Sequence, residues 1–274
     1  MRGRDLNWHS YKNLEIICLD PRAVSFLDDG ESPGSWFRTK ARILKSNEKI
    51  DAGLVPGPDG MTFFVKRYRT ARLWQRIMFR LFRDHVARTL KISRKLIKAG
   101  ISVPVPLAGI RDFGGKPPGA YFICQALTEA MPLRNMVNNN LITAGKLSKL
   151  LTRIAGALAL MHGTGIAHGD MKWKNIMIRQ GPEPDFLFID LDTAARMGFS
   201  GSRLFALDLA RFAVDIAETT NSQDLLRDFL TAYSRETGLE IPMLISKMKP
   251  FYRKISVKHK KKRGTETPPL VLEA

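Results

Sequence analysis

The chain has 274 residues, 44% hydrophobic and 26% charged, with 44 Lys and Arg against 26 Asp and Glu for a formal net charge of +18. That apolar share supports one substantial core or two lobes around a cleft and excludes a disordered chain, while no window approaches the roughly 18 consecutive apolar residues that cross a bilayer. The positive excess implies a polyanionic partner: nucleic acid, an anionic membrane surface or a phosphorylated substrate. The opening "MRGRDLNWHSYKNLE" lacks the apolar core of a signal peptide, so a cytoplasmic protein is expected. Cys18 and Cys124 lie in apolar surroundings without CxxC spacing and read as buried reduced thiols.

In chain order, residues 1–36 read as an N-terminal extension. The runs "FRTKARILKS" (37–46), "EKIDAGLV" (48–55) and "MTFFVKRY" (61–68), the last two separated by the turn former "PGPDG", read as an antiparallel meander. Residues 69–100 carry an apolar stripe through Leu73, Trp74, Ile77, Met78, Leu81, Phe82, Val86 and Leu90. Arg72, Arg76, Arg80 and Arg83 flank it, and Gly100 closes the helix or helix pair. "VPLAGIRDF" and "AYFICQAL", joined by "GGKPPG", read as a hairpin. Beyond about residue 128 the pattern turns helical, with Leu147, Leu150, Leu151, Ile154, Leu158 and Met161 on one face; two short strands follow at 176–179 and 186–191, then helices near 203–219 and 222–236. Seven Lys and Arg between Arg253 and Arg263 mark a basic tail, expected to be mobile. A β-rich part at 37–125, a helical part at 126–252 and a tail at 253–274 follow from these shifts.

The chemistry concentrates in "GIAHGDMKWKNIMIR" (165–179), a loop between helix and strand that presents His168, Asp170, Lys172 and Asn175. Twenty residues after Asp170, "FLFIDLD" puts Asp190 at the end of another strand. Phosphoryl transfer uses these residue types: a carboxylate to accept or orient the acceptor hydroxyl, an amide oxygen and a second carboxylate to hold Mg²⁺, and a lysine to offset charge on the moving phosphoryl group.

"HGDMKWKNIMI" is similar to the HxDxKxxN catalytic loop of the protein-kinase-like superfamily, and "FIDLD" resembles its metal-binding strand end. The resemblance implies an α+β, two-lobed protein-kinase-like fold using ATP and Mg²⁺. Asp170 and Lys172 would be catalytic, Asn175 and Asp190 the metal ligands. Lys66 in "FFVKRY" would contact the ATP phosphates, and the backbone around Gln125 to Leu127 would hold adenine. Lys66 also fits a solvated strand-edge charge. His168 would brace the loop. Asp208 resembles the helix aspartate that ties the loop backbone down, with a helix cap as the other reading; Asp192 fits a second metal contact or a plain loop charge.

More narrowly, "ILKSNEKI", "FFVKRYR", "KAGISVPVPLA", "HGDMKWKNIMI" and "FIDLDTAAR" together resemble the bacterial lipopolysaccharide-core kinases of the Kdo/WaaP and InaA type. That implies phosphate transfer to a Kdo or heptose hydroxyl of the lipopolysaccharide core, or another phosphorylated glycolipid acceptor, by a protein peripheral to the inner membrane on its cytoplasmic side. The flanking arginines and the 253–263 cluster would meet the anionic membrane surface, or the apolar stripe would pack on the sheet instead. No nucleic acid is expected, since RNP-like motifs and zinc-finger spacings are absent. Two features depart from the family pattern: "KSNEKI" has no glycine for a phosphate cradle, and the helix at 70–99 has no Glu to pair with Lys66, Asp84 being its only acid. The segment from Asp190 to Asp208 is too short for a peptide-docking platform. An aminoglycoside-type phosphotransferase and a catalytically silent kinase-like protein are the rival readings.

Overall fold

The computed structural model describes residues 6–70, 85–181, 183–196 and 202–270, divided into two compact units. The first comprises Met1–Lys95 and Pro104–Thr128, the second Leu96–Val103 and Glu129–Ala274. One is built on a sheet and the other mainly on helices, the α+β organisation of a protein-kinase-like fold.

The first unit is a seven-stranded antiparallel sheet. Its strands are β1 (His9–Tyr11), β2 (Leu14–Cys18), β3 (Arg42–Ser46), β4 (Ile50–Pro56), β5 (Thr62–Arg69), β6 (Pro106–Asp112) and β7 (Gly119–Gln125), in the order β1-β2-β6-β7-β5-β4-β3. Side chains alternate across it as the two-residue period of a strand requires. On one face Phe63, Val65, Tyr121 and Ile123 pack with Phe26, Trp36 and Phe37. On the other, Ala120, Phe122 and Cys124 pack with Val86, Ala87 and Leu90 of α2 (His85–Lys98). A Cβ at Gly109 would sit 2.5 Å from Val86 Cγ1, so a glycine in β6 lets α2 close on the sheet.

Two expectations are corrected here. Residues 1–36 are no mere extension: β1 and β2 pair into the sheet, Leu14–Cys18 running antiparallel to β6. Residues 37–40 are not strand but the end of α1 (Pro33–Lys40), whose N-cap Ser32 accepts a hydrogen bond from Ser35 N while Trp36 and Phe37 are buried. A Ser-Pro start favours a helix, and burial of two aromatic rings on one side overrides the β propensity of the segment. Arg72, Arg76, Arg80, Arg83 and Asp84 lie outside the described residues, as do Leu73 to Phe82 of the stripe, whereas its members Val86 and Leu90 pack on the sheet.

In the second unit, α4 (Ala144–Gly163) buries its predicted face of Leu147, Leu150, Leu151, Ile154, Leu158 and Met161. It packs on α6 (Gln223–Thr237), while α5 (Ser202–Thr220) packs on α7 (Ile241–Arg263). The short α3 (Leu133–Asn138) follows β8 (Ala130–Pro132), which pairs with β10 (Ile176–Arg179); β10 in turn pairs with β11 (Asp185–Phe188). Strands β9 (Ile166–Ala167) and β12 (Ala195–Arg196) pair separately.

The expected mobile tail is also corrected. Residues 253–263 continue α7, which buries Leu244, Met248 and Tyr252 at helical spacing. Glu218 of α5 accepts hydrogen bonds from Thr267 Oγ1 at 2.6 Å and from the His259 ring at 2.9 Å, and Tyr252 donates to the Pro268 carbonyl at 2.7 Å. The lysines of this stretch are exposed on a helix whose other side is packed.

Candidate active site

The loop 168–175 lies in the second unit between β9 and β10; apart from a single 3-10 turn at Trp173–Asn175, where Asn175 N donates to the Lys172 carbonyl at 2.8 Å, its backbone joins no helix or strand. Buried polar backbone must be paired, so side chains elsewhere do the pairing. Asp208, wholly buried on α5, accepts from His168 N at 2.7 Å and from Gly169 N at 3.0 Å. Two helical turns on, Asp215 accepts from Trp173 N at 2.7 Å, with Arg134 3.5 Å from its other oxygen. Arg211, on the same helix, donates to the Gly169 carbonyl. Three side chains of α5 thus grip the loop at its start and at its middle.

Gly169 has φ +80°, and a Cβ there would overlap the carbonyl oxygen of Thr193. Only glycine satisfies both conditions without distortion. His168 is fully buried; its Nε2 faces the Ile189 carbonyl at 3.0 Å and its Nδ1 faces Asp170 N at 3.4 Å. One nitrogen donates and the other accepts, which defines the neutral ring. Burial pushes the His168 pKa down against the pull of Asp208, so the ring stays neutral. His162, stacked on Phe205, is likewise lowered by burial. Burial alone would raise the Asp208 pKa, but the polar contact with the His162 ring, whose Nε2 lies 3.5 Å from Oδ2, and the hydrogen bond from the Gly169 amide hold it below the usual carboxylate range.

Of the loop's own polar side chains, Asp170 and Lys172 are partly exposed and Asn175 is buried. Asp170 is partly exposed; its Oδ2 receives Lys172 Nζ and, at 3.2 Å, Asn175 Nδ2, so Oδ1 is left for an acceptor hydroxyl. Asn175 Nδ2 also donates to the Asp170 carbonyl at 2.8 Å, which leaves the amide oxygen as the end for a cation. Ile189 N donates to the Asn175 carbonyl at 2.9 Å while Ile189 O receives His168, so the peptide before Asp190 is held at both ends. Asp190 itself is left-handed, at φ 61° and ψ 55°, a conformation that costs a non-glycine residue about 1 kcal/mol or more and that recurs at functional sites. It lies two residues past β11 rather than in the strand.

The donors at Asn175 and Asp190 are all oxygen, the set that suits Mg²⁺. Among the described residues no three His, Cys, Asp or Glu cluster tightly enough to hold a metal alone. A cation here would therefore be shared with phosphate oxygens and water, the usual habit of Mg²⁺ in phosphoryl transfer.

The structure brings Asp170, Lys172, Asn175, Asp190, His168 and Asp208 together in one unit; Lys66, Gln125 and Leu127 belong to the other. Lys66 stands in β5 opposite Phe122 of β7, its Nζ 5.8 Å from the Tyr68 ring. Gln125 ends β7, its N–H donating to Val105 at 2.9 Å, and Leu127 follows two residues on. The glycine-free turn between β3 and β4 is closed on itself: Asn47 Oδ1 accepts from both Lys49 N and Ile50 N at 2.9 Å. Those amides serve the turn, and no phosphate cradle is formed by them. Asp215 and Arg211 escaped the sequence reading; the available signal was the seven-residue interval from Asp208 to Asp215, which places both on one face of a helix.

Serine/threonine-protein kinase pkn3 of Myxococcus xanthus is 26% identical over 164 residues, 58% of this chain and 30% of that protein, so the chain spans under a third of the relative's length. The profile of the Lipopolysaccharide kinase (Kdo/WaaP) family matches residues 36–233, from the middle of α1 into α6, and takes in the loop 168–175 with Asp208 and Asp215 that clamp it. With well over half of its length inside that match, the chain belongs to the lipopolysaccharide kinase (Kdo/WaaP) family.

Proposed function

We propose that this chain transfers the γ-phosphate of ATP to a sugar hydroxyl, of Kdo or heptose, on the lipopolysaccharide inner core at the cytoplasmic face of the inner membrane. The observation that carries the reading is the loop 168–175, whose backbone is tied to α5 while Asp170 and Lys172, both partly exposed, pair with each other and the buried Asn175 bonds back to Asp170. Asp170 Oδ1 receives the proton of the acceptor hydroxyl. Lys172, paired with the same carboxylate, offsets the negative charge that builds on the transferring group. Asn175 and Asp190 hold Mg²⁺, which when bound neutralises phosphate charge. Lys66 contacts the ATP phosphates and the backbone from Gln125 to Leu127 holds adenine, as the family resemblance implies.

Among the described residues no helix is long and apolar enough to cross a membrane. Attachment to the bilayer surface rests on the outer face of α7, where Arg253, Lys254, Lys258, Lys261 and Lys262 are exposed. Each contributes on the order of 1 kcal/mol near an anionic leaflet.

The test is transfer of labelled γ-phosphate from ATP, with Mg²⁺, to intact and delipidated lipopolysaccharide core, with Asp170→Ala as control. Label on a core sugar that the variant fails to produce supports the proposal; a folded variant with wild-type turnover removes Asp170 from it, and label only on lipid-free sugars removes the membrane acceptor.

A further inference from the structure

The first unit contains a cavity of about 410 Å³ bounded by the β1–β2 turn, the N-terminal turn of α1 and the β6–β7 turn, with Arg67 and Tyr121 of the sheet at its wall. Four cations line it, Lys12, Arg38, Arg67 and Lys116, against two acids, Glu31 and Asp112. Asp112 is occupied in its own turn, its Oδ1 accepting from Gly114 N at 3.0 Å and Gly115 N at 2.8 Å.

Arg67 is the decisive residue. It is 9% exposed, and its Nε is buried without a hydrogen-bond partner. The nearest carboxylate, Asp51, is 3.9 Å from Nη1, and both Asp51 oxygens are already engaged by Arg69, with Ser46 on one of them. The guanidinium lies over the Tyr121 ring, 5.9 Å from its centroid, and its buried Nε donor is costly to leave unpaired unless an anion completes it. The helix terminus at Ser32–Gly34 adds the same sign: no acidic residue stands in the first turn of α1, where Ser32 caps one amide and Glu31 precedes the cap. Tyr121, whose pKa burial pushes up to about 12, supplies a protonated hydroxyl.

From these residues we infer that the cavity is a second ligand site, for an organic phosphate of sugar or glycerol size, held by Arg67 and Arg38. It is distinct from the site around Lys66. Adjacent residues of a strand point to opposite faces of a sheet, so Arg67 opens on the α1 face and Lys66 on the α2 face. Tyr11–Leu14 and Leu27–Gly34, about half of the wall, also precede residue 36, where the family match begins. The site belongs to this chain's own N-terminal strands and helix, and the volume exceeds what a bare phosphate fills.

The test is titration calorimetry on the full chain at physiological ionic strength with inorganic phosphate, glucose 6-phosphate and phosphatidylglycerol vesicles. Wild type is expected to bind glucose 6-phosphate with a Kd below about 1 mM. Arg67→Gln weakens it at least about tenfold, as does Arg38→Gln, an exposed position that leaves the fold undisturbed, while Lys66→Met leaves it unchanged. Vesicle binding that Arg38→Gln abolishes, without binding of glucose 6-phosphate, identifies a lipid headgroup as the source of the phosphate. Binding that survives Arg38→Gln, binding lost in Lys66→Met, or no binding of any probe overturns the inference.

Discussion

Two polar turns of this chain solve the same problem in opposite ways. Between β3 and β4, Asn47 closes the turn with its own side chain, accepting the amides of Lys49 and Ile50. At 168–175 the amides are accepted by Asp208 and Asp215, 39 to 42 residues away along the chain. The self-contained turn needs nothing from the rest of the fold and offers nothing to a ligand. The remotely clamped loop depends on α5, and its polar side chains Asp170, Lys172 and Asn175 bond to one another instead of to its amides. On the reading proposed above, the second turn handles phosphate and the first does not.

The contrast breaks most severely at Asp208. Asp208→Ala leaves two buried N–H groups without acceptors and is expected to cost roughly 3–5 kcal/mol in denaturant unfolding, with loss of phosphate transfer. Gly169→Ala forces a Cβ into the Thr193 carbonyl at a left-handed φ and is expected to cost roughly 2–4 kcal/mol, with turnover falling even where the protein remains folded. A wild-type melting temperature in either variant would show that the loop is not held as described.

Acid tests the same clamp without mutation. His162 and His168 have pKa values lowered by burial, so below the unfolded value of 6.5 the unfolded chain takes up protons that the folded chain refuses. Stability therefore falls as pH drops below 6.5, by up to about 1.4 kcal/mol per pH unit for each ring. The lowered Asp208 acts in a separate window: its contribution is present above 3.8 and is lost only as pH falls through its folded value. Urea midpoints measured between pH 7.5 and 5 should decline; a flat profile in that range would mean that the rings are not held neutral. The smallest effect belongs to the other turn. Asn47→Gly should cost about 1 kcal/mol and change phosphate transfer less than about threefold, because those amides serve the hairpin alone.

The parts of the site that were legible in the sequence share one property: they are close along the chain. Asp170, Lys172 and Asn175 fall within six residues, and Asp190 follows at a fixed interval past an apolar strand. Asp208 was visible only as one of two readings, and its backbone bonds to His168 and Gly169 decide between them. Asp215, Arg211 and Arg134 were not visible, since their meaning depends on which face of α5 meets the loop. The fold shows the same division. The β4–β5 meander, the β6–β7 hairpin and the helix 144–163 carried local signals. By contrast, β1 is three exposed residues that gain meaning only by pairing with β2, and the lysines of α7 masked the four-residue spacing of Leu244, Met248 and Tyr252.

The most direct measurement is the ratio of turnover numbers for wild type and Asp170→Asn with ATP, Mg²⁺ and a lipopolysaccharide core acceptor, on protein shown by thermal melting to be equally folded. The substitution preserves the shape of a side chain that receives Lys172 and Asn175 but removes its charge and its ability to take the acceptor proton. The account predicts that turnover falls by roughly 10²–10⁴-fold with no change in melting temperature. A ratio near one would contradict it, because the loop would then be clamped for some purpose other than phosphate transfer through Asp170.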